Sequence, residues 1–214
     1  MKVRTPEETY QDALHKAHAE LVQLEPEQSA ARSGAAYTPL GDGLGQFQIS
    51  FLGIIFYLDW PTGIVRRAVD QAEADVPTRL VLMHYLLTAD GAAMASKWIA
   101  FRNLAGGLGY DAAFQRRANL PLAQTFGQDR AAFEVAARQL YGERLRFGDA
   151  SFCFRALPHL WLAVVLYVAD DEFPASVNVL FDAAANHYLP TEDLAVLGGM
   201  LAGRLIKASR TKTP

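Results

Sequence analysis

Phe47-Gln48-Ile49-Ser50-Phe51 alternates apolar and polar side chains, and after Leu52-Gly53 the run Ile54-Ile55-Phe56-Tyr57-Leu58 is unbroken β-branched and aromatic. Period-two alternation marks a strand with one face buried, and a two-residue break between strand-like runs predicts an antiparallel hairpin. The second strand closes in the turn-forming Trp60-Pro61-Thr62-Gly63. A similar shape returns later: Phe152-Cys153-Phe154-Arg155, a break at Leu157-Pro158, then Leu160 to Ala169. Because antiparallel strands are joined by short turns, the two hairpin-like units predict one mainly antiparallel sheet.

Helices fill the rest. Thr5-Pro6-Glu7-Glu8 carries a Thr cap, a Pro at the first helical position and a Glu three residues after the cap, which is a capping box. Tyr10, Leu14, Ala17, Leu21 and Leu24 follow at helical spacing, so an N-terminal amphipathic helix ends near Pro26. Gly41, Gly43 and Gly45 read as a flexible connector before the first hairpin. Pro77 to Thr88 is apolar almost all round and predicts a central, buried helix. Helices are also predicted over about 111–126, 129–141 and 175–188. A C-terminal amphipathic helix from Thr191 turns Leu194, Leu197, Leu201 and Leu205 to the core. The fold class is α+β, in a single domain over 1–214 whose first 34 residues form a helical segment.

Composition narrows the setting. With 51% hydrophobic and 20% charged residues, the 214-residue chain has the balance of a packed globular protein. Its N-terminus turns polar where a secretory signal needs an apolar stretch, and the longest apolar run, Trp161 to Ala169, is far too short to span a bilayer. The single Cys153 offers no internal disulfide and no cysteine metal site. A cytoplasmic protein without a membrane partner is expected. Twenty Lys and Arg against 23 Asp and Glu, with the bases scattered, argue against nucleic acid, which needs a clustered positive surface.

Dinucleotide, phosphate-loop, zinc-protease and serine-elbow signatures are missing. His15 and His18 lie one turn apart on the first helix but lack a third ligand, and read as surface residues. His84 shares its helix with Leu80, Met83 and Leu87 and is either a satisfied core histidine or a ligand-binding or catalytic group. Trp98, Arg102 and Tyr110 put a guanidinium among aromatics beside a Gly-rich loop, suited to a carboxylate or phosphate and equally to a structural salt bridge. On the helix expected over 175–188, Asn178, Asp182 and Asn186 form a polar stripe, and His187 lies about 140° from Asp182. Glu192 and Asp193 sit in the first turn of the last helix, where carboxylates favour the N-terminal dipole.

His84-Tyr85-Leu86, Trp98-x-x-Phe101-Arg102, Phe154-x-x-Leu157-Pro158, Asp171-Glu172-Phe173-Pro174, Leu180-Phe181-Asp182 and His187-Tyr188-Leu189-Pro190-Thr191-Glu192-Asp193-Leu194 together resemble the domain-of-unknown-function family 3786 over about Tyr37 to Leu205. The resemblance implies a cytoplasmic protein of anaerobic metabolism. Some members carry an N-terminal cysteine-rich iron-sulfur domain like that of corrinoid-linked methyl-transfer proteins. This chain has no such cysteines, so a link to corrinoid or iron-sulfur chemistry implies a redox partner protein, and no cofactor or metal of its own is assigned. Two functional expectations follow. The first is a non-catalytic ligand-binding or accessory protein with a pocket drawn from His84, Trp98, Arg102 and Tyr110. The alternative is an enzyme, with or without a metal, in which His84, Asp182, His187 and Glu192 converge.

Overall fold

The computed structural model describes residues 6–210. It shows α1 (Pro6–Val22) from its first described residue, and the Thr5 cap lies outside the described residues. Leu14, Ala17 and Leu21 form its buried stripe. A second helix, α2 (Pro26–Ser33), was not anticipated; Pro26 opens it and Gly34, at φ 69°, closes it in the left-handed region.

The Gly41-x-Gly43-x-Gly45 segment is a hairpin, not a flexible connector. β1 (Ala36–Gly41) and β2 (Leu44–Phe51) pair antiparallel across Asp42-Gly43, both at positive φ. That dipeptide suits a tight turn whose twist matches the strands. β3 (Ile54–Trp60) follows across Leu52-Gly53, also both at positive φ, and β4 (Ile64–Arg67) follows the turn at Pro61-Thr62-Gly63. The result is a four-stranded meander in the order β1-β2-β3-β4. Phe47, Ile49, Phe51, Phe56, Leu58 and Val65 are its buried residues. α3 (Val76–Thr88) starts where Asp75 accepts the Thr78 N–H at 2.9 Å, and packs against α1 and α2.

The expectation of one sheet is corrected at this point. The second hairpin belongs to another sheet, ordered β5-β9-β8-β7-β6 and antiparallel throughout. It comprises β5 (Trp98–Ala100), β6 (Glu143–Arg144), β7 (Ala150–Leu157), β8 (Leu160–Tyr167) and β9 (Ser176–Asp182). Each hairpin finds its neighbours among strands nearby in sequence, so neither needs the other. β7 and β8 are buried along nearly their whole length, which explains their unbroken apolar sequence.

The helix expected over 175–188 is a second correction. Ser176-Val177-Asn178-Val179 alternates polar with β-branched residues, a strand period, and Val177, Val179 and Phe181 are buried while Asn178 is exposed. The polar stripe and the 140° separation of Asp182 and His187 fall with that helix. The expected helix over 111–126 starts earlier, as α4 (Gly107–Phe114), widens into a π turn at Gln115–Asn119 and continues as α5 (Leu120–Phe126). Pro121 has no N–H to return to Arg117, and the wide turn falls just before it. Asn119 accepts the Val179 N–H at 3.0 Å, satisfying β9 just past the end of the short β5. α6 (Arg130–Gln139) is capped by Asp129, and α7 (Thr191–Arg210) packs on α4, α5 and α6 with Leu194, Leu197, Leu201 and Leu205 buried.

The chain divides into two compact units, residues 1–92 with 187–190 and residues 93–186 with 191–214. Among the described residues no helix is long and apolar enough to cross a membrane.

Candidate functional site

Within the first unit, α1 and α3 and the β3–β4 turn line a partly open pocket of about 230 Å³. Gln11, Leu14, His15 and His18 line it from α1, one helical turn apart, so a single helix face presents all four. Arg79 and Met83, also one turn apart, line it from α3, and Thr62 from the turn. Two contacts fix the geometry. His18 Nε2 lies 3.0 Å from the Pro61 carbonyl, and the Trp60 indole N–H donates to the Leu21 carbonyl at 2.9 Å, so α1 is tied to the strand end at two points. Gly63, at φ 68°, sits against Met83 and His18, where an added Cβ would lie 2.7 Å from the Met83 methyl. Among the described residues no carboxylate lines the cavity. The Arg79 Nε is buried and has no hydrogen-bond partner among the described residues.

The residues singled out from the sequence fall elsewhere. His84 and His187 belong to the first unit, and Trp98, Arg102, Tyr110, Asp182 and Glu192 to the second. His84 is half-buried rather than enclosed in the core. Trp98 is half-buried on β5, Arg102 is exposed in a short 3₁₀ turn, Tyr110 is exposed on α4, and Glu192 is exposed in the first turn of α7. Among the described residues no three His, Cys, Asp or Glu side chains gather as a set that could hold a metal ion.

Asp182 and its neighbours hold backbone. Asp182 Oδ1 accepts the N–H groups of Ala95 and Ala184, both at 2.9 Å, while the buried Oδ2 has no hydrogen-bond partner. Asn186 Oδ1 accepts the Ala105 N–H at 3.0 Å, and its amide donates to Thr191 Oγ1. The Thr191 hydroxyl in turn donates to the Ala105 carbonyl. Both polar groups of the Ala105 backbone, just before the Gly106-Gly107 start of α4, are therefore held by side chains from the Asn186–Thr191 stretch.

His187 makes a different contact. Its Nδ1 lies 2.6 Å from Asp90 Oδ2, and both side chains are about half exposed. The hydrogen bond from His187, helped by the Ala92 N–H, holds the Asp90 carboxyl below the usual carboxylate range. A depressed folded value stabilises the fold above the unfolded carboxylate range and loses that contribution as pH falls through the folded value. His187→Ala is accordingly expected to raise the Asp90 titration toward the ordinary carboxylate range, with the Ala92 N–H still lowering it, as followed by NMR of its carboxyl carbon. An unmoved titration would show that the imidazole does not hold it. The Cys153 thiol is pushed up by burial and then by the charge of Glu143, its cross-strand partner, the opposite of an activated thiol.

The fold and cavity define an α+β protein with one small polar pocket described within its first unit. The family model for Domain of unknown function (DUF3786) matches residues 25–204, and the chain belongs to that family. No curated protein and no solved structure matches the chain. The matched segment contains Thr62, Arg79 and Met83 and excludes α1. Sequence reading missed the pocket because its lining is split between helices about sixty residues apart. The one signal present was the His15–His18 pair.

Proposed function

We propose that the chain is a non-catalytic binding or accessory protein whose ligand sits in the α1–α3 cavity. The observation that carries the reading is the lining: Gln11, Arg79 and two imidazoles line a partly open pocket together with Leu14, Met83 and Thr62. Few polar groups aimed into a partly apolar concavity are what binding sites share. The lining has neither a nucleophile paired with a base nor two carboxylates, the arrangements that hydrolytic chemistry asks for.

The test blocks the space. Gln11 is exposed on the pocket-facing side of α1, so Gln11→Trp is expected to close the cavity without disturbing the core. A panel of small polar metabolites is screened by ligand-observed NMR against wild type and this variant. Saturable binding to wild type that the Trp removes supports the reading; binding that persists unchanged, or none at all, refutes it.

The enzyme alternative keeps one favourable observation, the Asp90–His187 contact, since a carboxylate on Nδ1 orients an imidazole as a base at Nε2. The redox partner implied by the family resemblance is likewise part of the proposal; anaerobic co-purification of the chain with an iron-sulfur or corrinoid protein is its test.

A further inference from the structure

Resting on that reading, we infer that the pocket takes a small organic anion, a carboxylate or phosphate carried on a short carbon chain. Among the described residues the lining holds arginine and histidine and no acid, in a chain whose net charge is −3. Such a local excess of positive character against the overall charge is a selective environment for an anion. Arg79 is its centre. The residue is half-buried, forms no ion pair or side-chain hydrogen bond among the described residues, and leaves Nε without a partner. A buried N–H without an acceptor costs free energy, and an incoming oxygen would relieve it. Asp75, one turn earlier on the same side of α3, spends its Oδ1 on capping Thr78 rather than on Arg79.

The planar guanidinium suits a carboxylate or phosphate, whose paired oxygens accept two parallel N–H bonds. Gln11 supplies a further N–H donor and His15 a ring nitrogen around the same space, while the Thr62 hydroxyl donates to the Asp59 carbonyl. His18 Nε2–H donates to the Pro61 carbonyl, so Nδ1 of the neutral ring is an acceptor and His18 contributes a wall rather than a donor. Size sets the other limit. A cavity of about 230 Å³ holds the volume of roughly eight waters at about 30 Å³ each. That seats a phosphate ester or dicarboxylate of a few carbons. Leu14 and Met83 accept the carbon chain.

The experiment titrates the intact chain with succinate, glycerol 3-phosphate, inorganic phosphate and, as a neutral control of similar size, glycerol, by calorimetry. Wild type is compared with Arg79→Met, which keeps the length of the side chain and removes its charge, and with Gln11→Trp. Binding of succinate or glycerol 3-phosphate, weakened at least tenfold in Arg79→Met and abolished in Gln11→Trp, is the expected result. Preference between the two separates a carboxylate site from a phosphate site, and inorganic phosphate alone binding as tightly would assign the site to the free ion. Glycerol binding that Gln11→Trp removes and Arg79→Met leaves intact would overturn the anion inference while sparing the pocket. Thermal melts guard the comparison: because Arg79 has no partner to lose, Arg79→Met is expected to melt no lower than wild type. A clear drop would reveal a structural role and overturn the inference.

Discussion

Phe114→Ala is expected to destabilise the fold by about 3 to 5 kcal/mol, the range for removing a buried aromatic from a packed core. The ring is about 1% exposed, stacks on Phe101 at 4.3 Å between centroids and meets Phe181 at 5.7 Å. It also fills the space over Gly198 of α7, where a Cβ would come within 2.5 Å of its edge. One ring thus joins α4, a strand and the glycine face of α7. Urea denaturation followed by circular dichroism measures the loss. A cost under about 1 kcal/mol would mean that the cluster relaxes, and the account of α7 docking through Gly198 would fail.

Asp182→Ala is expected to cost about 2 to 4 kcal/mol, since it strips two backbone N–H groups of a charged acceptor, one of them fully buried. The revealing comparison is Asp182→Asn. The amide oxygen can take both bonds of Oδ1, and Oδ2 makes no hydrogen bond that an amide would lose, so Asn should recover most of the stability. Equal losses in the two variants would show that the negative charge, not the acceptor geometry, matters there. Denaturation of both proteins under one buffer decides it.

These two residues bear on what a sequence discloses. The first hairpin was legible because alternation and Leu52-Gly53 act locally, and α3 and α7 because their apolar spacing is long. β9 was misread as a helix: Asn178, Asp182 and Asn186 happen to recur at a helical interval, and that outweighed the Val177–Val179 alternation. Membership of one sheet or two was not legible, because pairing partners beyond a hairpin leave no local trace. Asp182 stood out as a candidate for chemistry; with Asn186 and Thr191 it holds the backbone of Ala95, Ala184 and Ala105. Arg79 drew no notice, since an unpaired guanidinium is visible only when its surroundings are.

The division of the pocket's walls has a thermodynamic consequence. Four of its lining side chains belong to α1, which lies outside the family match, and the other three to the matched segment. Occupancy and the seating of that helix are therefore linked: whatever binds between them favours the seated over the unseated helix by RT ln(1 + [L]/Kd), about 2.7 kcal/mol at a ligand concentration a hundredfold above Kd. Reciprocally, changes on the outer face of α1 that weaken its seating lower affinity without touching the ligand.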